Sequence, residues 1–172
     1  MRQGLGQVKR AAVARRLLLC AFLVLAGCDD GPPHLSAGGA YIVMPPAPGR
    51  PATLYFVIDA TNDPLAGPLR RLVGVRVEGT AYAEMHRSMT VDGMAQMRPL
   101  RSLPLADGVT RFCPGGHHVM LFGLDERIKP GAQVRVHLKL NVGGHLDPDA
   151  MIVRMGDAVR ADPPFDCRRG PG

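Results

Sequence analysis

His86, Met97, His118 and Met120 place two imidazoles and two thioethers within 35 positions of a 172-residue chain. Thioether sulfur is soft and uncharged, so it binds Cu(I) well and hard ions such as Mg²⁺ or Ca²⁺ poorly. Imidazole suits copper in either oxidation state. A mixed His/Met set therefore points to copper held as Cu(I). Zinc fits less well, because methionine is a poor zinc ligand. The remaining residues supply no nucleophile motif, no paired-carboxylate pattern and no glycine-rich phosphate loop, so an enzyme is not expected.

Strands must position these groups. In the run from His118 to Phe122, His118 and Met120 share one face of an extended chain, while Val119 and Leu121 point the other way into a core. Upstream, Tyr82, Glu84 and His86 share one face and Ala81, Ala83 and Met85 the other; Met97 follows on a third segment, after an Asp92-Gly93 turn. The same period of two runs through Leu54, Phe56 and Ile58, through Val73, Val75 and Val77, and through Val134, Val136, Leu138 and Leu140. Turn-forming clusters separate the runs, among them Pro114-Gly115-Gly116, Lys129-Pro130-Gly131 and Gly143-Gly144. Outside the N-terminus no long amphipathic helix is apparent. The pattern predicts an all-β fold, a single antiparallel β-sandwich domain of seven to nine strands.

Other residues of these types take quieter roles. Met44, Met85, Met151 and Met155 read as core filler. Met89, Met94, His117 and Cys113 are candidates to line the metal pocket behind the ligands, and His117 is the rival ligand if the register slips by one. His137 alternates outward with Arg135 and Lys139 and reads as solvated; His34 and His145 fall in exposed segments.

The N-terminal 27 residues have the layout of an export signal. Arg2, Lys9, Arg10, Arg15 and Arg16 precede an apolar run from Leu17 to Ala26 that is too short to span a bilayer. Leu25-Ala26-Gly27-Cys28 resembles a bacterial lipobox, which implies lipidation of Cys28 and tethering to a membrane surface on the periplasmic side. Residues 28–38 then read as a linker, 39–155 as the sandwich, and 156–172 as a flexible tail. Of the 21 Lys/Arg, five lie in residues 1–27, leaving 16 against 15 Asp/Glu. The mature chain is thus nearly neutral, with no electrostatic footprint for nucleic acid. Export permits a Cys113–Cys167 disulfide, but spacing alone does not establish the pair.

Taken together, Glu84-Met85-His86, Met94, Met97-Arg98-Pro99, Pro114-Gly115-Gly116 and His118-Val119-Met120 resemble the bacterial periplasmic copper chaperones of the PCu(A)C type (the DUF461 family). Their pattern is a His, ten residues, a Met, about 21 residues, then His-x-Met. Here the first interval is ten residues and the second 20. The resemblance covers roughly residues 39–155. It implies a cupredoxin-like sandwich holding one Cu(I) through His86, Met97, His118 and Met120. It also implies delivery to a copper acceptor, such as cytochrome c oxidase subunit II or another copper chaperone. The His/Met-rich C-terminal extension that gives some members a Cu(II) site has no counterpart, because no His or Met follows Met155.

Two rivals differ in class. Cys113-Pro-Gly-Gly-His117-His118-Val-Met120 also resembles the loop of blue-copper electron carriers, in which a thiolate joins two histidines and a weak axial Met. His86 would then be the upstream histidine, and Met97 would have no role. The other rival is an adhesive or structural sandwich without metal.

Overall fold

The computed structural model describes residues 32–45, 47, 49–160 and 167. The signal segment and Cys28 lie outside the described residues. Eleven strands and one short helix follow in order: β1 (Ser36–Val43), β2 (Ala52–Asp59), β3 (Gly67–Val77), β4 (Tyr82–Val91), β5 (Met94–Leu100), β6 (Leu103–Leu105), β7 (Val109–Phe112), β8 (His117–Phe122), β9 (Gln133–Leu140), β10 (His145–Leu146), β11 (Asp149–Val153) and α1 (Met155–Arg160). No described helix is long and apolar enough to cross a membrane.

The strands pair in the order β5-β4-β8-β7-β2-β1-β11-β9-β3-β6. Strand β9 is the fold-over: it pairs with β11 through Gln133, Val134 and Arg135, and with β3 through its second half. One buried cluster joins both sides, with Leu54, Phe56, Ile58, Val119 and Leu121 from one and Leu72, Val77, Val136 and Leu138 from the other. At about 25 cal/mol per Å² of apolar surface removed from water, this cluster is the main stabilising element of the sandwich. Phe56 and Phe112 stack at its centre with ring centroids 4.2 Å apart.

The chain is an all-β sandwich, as its periodicity predicts, with some differences. The sheet is mixed: β1 runs parallel to β11, and β7 meets β8 in parallel. The alternation of β2 and β9 holds, but that of β3 breaks. A register shift between Leu72 and Gly74 moves the core position from Val73 to Leu72, so Leu72 and Val77 are both buried although five residues apart. Such a bulge reverses parity. Strand β1 begins inside the expected linker. Met151 and Met155 are exposed and not core filler: Ala150 and Ile152 take the inward positions of β11, and Met155 lies beyond that strand at the start of α1. His137 is not freely solvated; its Nδ1–H donates to Asp147 at 2.6 Å. Cys167 is bonded to Cys113, so the segment expected to be a loose tail is covalently tied to the domain.

Candidate metal centre

Three neighbouring strands, β5, β4 and β8, carry all four candidate ligands. Strands β4 and β8 are antiparallel, with Tyr82 opposite Phe122, Glu84 opposite Met120 and His86 opposite His118. Strands β4 and β5 are joined by a two-residue turn in which Asp92 (φ 52°) and Gly93 (φ 78°) both take positive φ, as a type I′ hairpin requires. Across that hairpin Ser88 faces Met97 and His86 faces Pro99. Directly paired residues share a face, so His86, Met97, His118 and Met120 all lie on the face opposite to Met85, Val119 and Leu121. His86 is the hub: His118 stands directly across from it. Met120 and Met97 are its diagonal neighbours on either side, at a separation of roughly 7–8 Å that long side chains bridge.

The two imidazoles have ring centroids 5.8 Å apart. A nitrogen–metal bond of about 2 Å puts an ion roughly 3 Å from a ring centre, so a single ion can span such a pair. Their hydrogen bonds leave suitable lone pairs. His118 Nδ1–H donates to the Gly116 carbonyl at 3.2 Å, which frees Nε2. His86 Nε2–H donates to Glu84 Oε2 at 3.2 Å, and His86 Nδ1 is buried with no hydrogen-bond partner. An orphaned buried lone pair on an imidazole whose other nitrogen is held by a carboxylate is the arrangement that metal-binding histidines use. Burial pushes the His118 imidazole below its usual pKa; the Gly116 carbonyl opposes this and the neighbouring His86 adds to it. His118 is therefore neutral, as a ligand must be, near pH 7.

Exposure separates the methionines. Met120 is half-buried beside the pair, whereas Met97 is 60% exposed on β5, an end strand of the sheet. Among the described residues no three His, Cys, Asp or Glu side chains group as metal ligands.

The residues expected to line the pocket do not join this face. Met89, Met94 and His117 pair with Gln96, Val91 and Arg87, positions of the opposite parity on β4 and β5. Cys113 is consumed by its disulfide, with Cα atoms 5.8 Å apart. That bond removes the thiolate on which the blue-copper reading depends. Two orienting groups went unrecognised in the sequence. Glu84 was legible, since it lies two residues from His86 on the same face. The Gly116 carbonyl was not, because it is aimed by a turn in which Gly116 N–H donates to Cys113 O and Cys113 N–H donates to His117 O.

The mixed β-sandwich has the fold of the PCuAC domains. The copper-bound PCuAC domain from PmoF2 superposes with a TM-score of 0.54 at 18% identity, covering 70% of this chain and 98% of that one. The apo PCuAC domain from PmoF1 gives 0.54 at 21%, covering 72% and 98%. The LpqE-like lipoprotein family model matches residues 35–152, and the chain belongs to that family. No curated protein matches the sequence.

Proposed function

We propose that this protein is an exported, lipid-anchored carrier of Cu(I). It holds one ion through His86, His118, Met120 and Met97 and passes it to an acceptor such as the copper centre of a respiratory oxidase or a second copper chaperone. The reading rests on one observation: two neighbouring imidazoles, each with one ring nitrogen held by a carboxylate or carbonyl, flanked on both sides by methionine positions. The copper-bound relative and the lipoprotein family support it, as does the lipobox-like sequence at Cys28.

Four neutral ligands leave the complex with the ion's own positive charge. They bind Cu(I) less tightly than thiolates would, and they do not oxidise to disulfides in an oxidising compartment. Transfer is ligand exchange without redox change. Met97, the outermost and most exposed donor, leaves first, and an acceptor ligand takes its place. The His pair releases last.

The test is an anaerobic Cu(I) titration against a chromophoric chelator, with the wild-type chain beside His118→Ala and Met97→Ala, followed by mixing the loaded protein with an acceptor. One equivalent is expected for the wild type, with affinity lost in His118→Ala and weakened in Met97→Ala. Transfer should outpace spontaneous release. Copper binding that survives both substitutions would remove these ligands, and transfer no faster than release would remove the carrier role.

A further inference from the structure

The turn that delivers His118 has a cavity on its other side. This cavity, of about 420 Å³, is enclosed by the Cys113–Cys167 disulfide, the Pro114-Gly115-Gly116 backbone and an apolar wall that includes Leu103, Pro104 and Val109. Arg87, Arg111 and His117 also line it, and among the described residues no acidic side chain does. Among the described residues the arginine ion pairs are Arg70–Asp63, Arg127–Asp125 and Arg135–Asp149, so neither Arg87 nor Arg111 has a carboxylate partner. Arg111 donates through Nη1 to the Val109 carbonyl at 3.2 Å, but its Nε is buried with no partner. A buried guanidinium N–H without an acceptor is costly, and a carboxylate satisfies it with a charge-assisted bond.

We propose that this cavity is a carboxylate-binding pocket and that it receives an Asp or Glu side chain from an acidic segment of the copper acceptor. Only the partner's identity rests on the carrier reading; the pocket chemistry stands apart from it. Size fits, since small-ligand sites begin at roughly 300 Å³. Placement fits as well. Arg87 and His117 are paired across β4 and β8 immediately beside the His86–His118 pair. The Gly116 carbonyl accepts both from Ser88 N–H at 3.0 Å and from His118 Nδ1–H, so the cavity rim and the metal ligand share one backbone group. Arg87 and His117 lie on the face of β4 and β8 opposite to the ligands, so an acidic side chain held there anchors the acceptor at the Gly116 rim that both faces share.

The experiment uses the full chain, copper-free and with its disulfide intact, labelled with ¹⁵N. It is titrated at low salt with a peptide of alternating glutamate and glycine, with the same peptide carrying glutamine, and with glutarate. The glutamate peptide should shift the Arg87 and Arg111 side-chain signals and the Gly115 and Gly116 amides saturably, and the glutamine peptide should not. Arg87→Ala, at an exposed position that keeps the fold, should weaken binding about tenfold, and added salt should weaken it further. No saturable shift, equal shifts from the glutamine peptide, or unchanged affinity in Arg87→Ala overturns the pocket. Glutarate binding as tightly as the peptide overturns the acceptor segment and leaves a site for small acids. Because copper is absent, failure of the His/Met site does not alter this result. His86→Ala should bind the peptide as the wild type does.

Discussion

Glu84 offers the sharpest test of how the histidine pair is prepared for a metal. Its carboxylate accepts from His86 Nε2–H at 3.2 Å, which fixes the tautomer and leaves Nδ1 bare and buried. In Glu84→Ala that restraint is gone, and His86 can carry its proton on Nδ1 instead, where it blocks the metal. Removing such an orienting partner costs a metal site about 10- to 100-fold in affinity. The Glu84 side chain is half exposed, against 13% for His86, so water screens the pair and the expected loss is at the low end. We expect a fall of about tenfold, or roughly 1.4 kcal/mol, read by anaerobic competition for Cu(I). Glu84→Gln should fall between wild type and Glu84→Ala, because its amide oxygen still accepts the bond without the charge. Affinity equal to wild type in Glu84→Ala would refute the tautomer argument. A loss as large as that of His86→Ala would refute it differently, by making Glu84 a ligand.

Three further outcomes follow from the geometry. Burial holds the His118 pKa below the usual 6.5; followed by NMR in the copper-free protein, the His118 ring should titrate with a midpoint under that value, and a midpoint at or above it contradicts the burial argument. The Cys113–Cys167 bond closes a separation of 54 residues, and the chain-entropy relation gives it up to about 4 kcal/mol; urea unfolding of Cys167→Ser should show a loss of that order, and an unchanged midpoint would show that the bond constrains nothing. Arg70 and Asp63 are both buried and paired, and burial of Asp63 is outweighed by the Arg70 contacts, which keep its pKa below the usual carboxylate value. Arg70→Ala leaves Asp63 buried and uncompensated, so it should cost about 3–5 kcal/mol in thermal or urea unfolding, and less than 1 kcal/mol would contradict the burial argument.

The sequence made individual strands legible where one face meets the core. The clean alternation of β2 and β9, and the outward pairing of His118 with Met120, follow from side-chain period alone. Pairing between strands is non-local, and so the register that sets His86 across from His118 could not be read from spacing. The same limit explains the misplaced pocket residues: Met89, Met94 and His117 are near the ligands in sequence but on the other face by parity. In β3 the bulge after Leu72 inverts the pattern, and nothing in the hydrophobic run from Val73 to Val77 announces it. Cys167 lies in a segment without apolar periodicity, so only the spatial approach of its backbone to Cys113 identifies the partner.

The disulfide also bears on how firmly this fold could keep its cargo. A free thiolate at Cys113, three residues before the Gly116 carbonyl that holds His118, would be the softest and most strongly binding donor in the neighbourhood. Copper drawn to it would be sequestered, and an acceptor built from ordinary ligands could not compete. By joining Cys113 to a cysteine 54 residues away, the chain withdraws that competitor. On the proposed carrier role, the imidazoles and thioethers that remain would hold the ion weakly enough for it to leave.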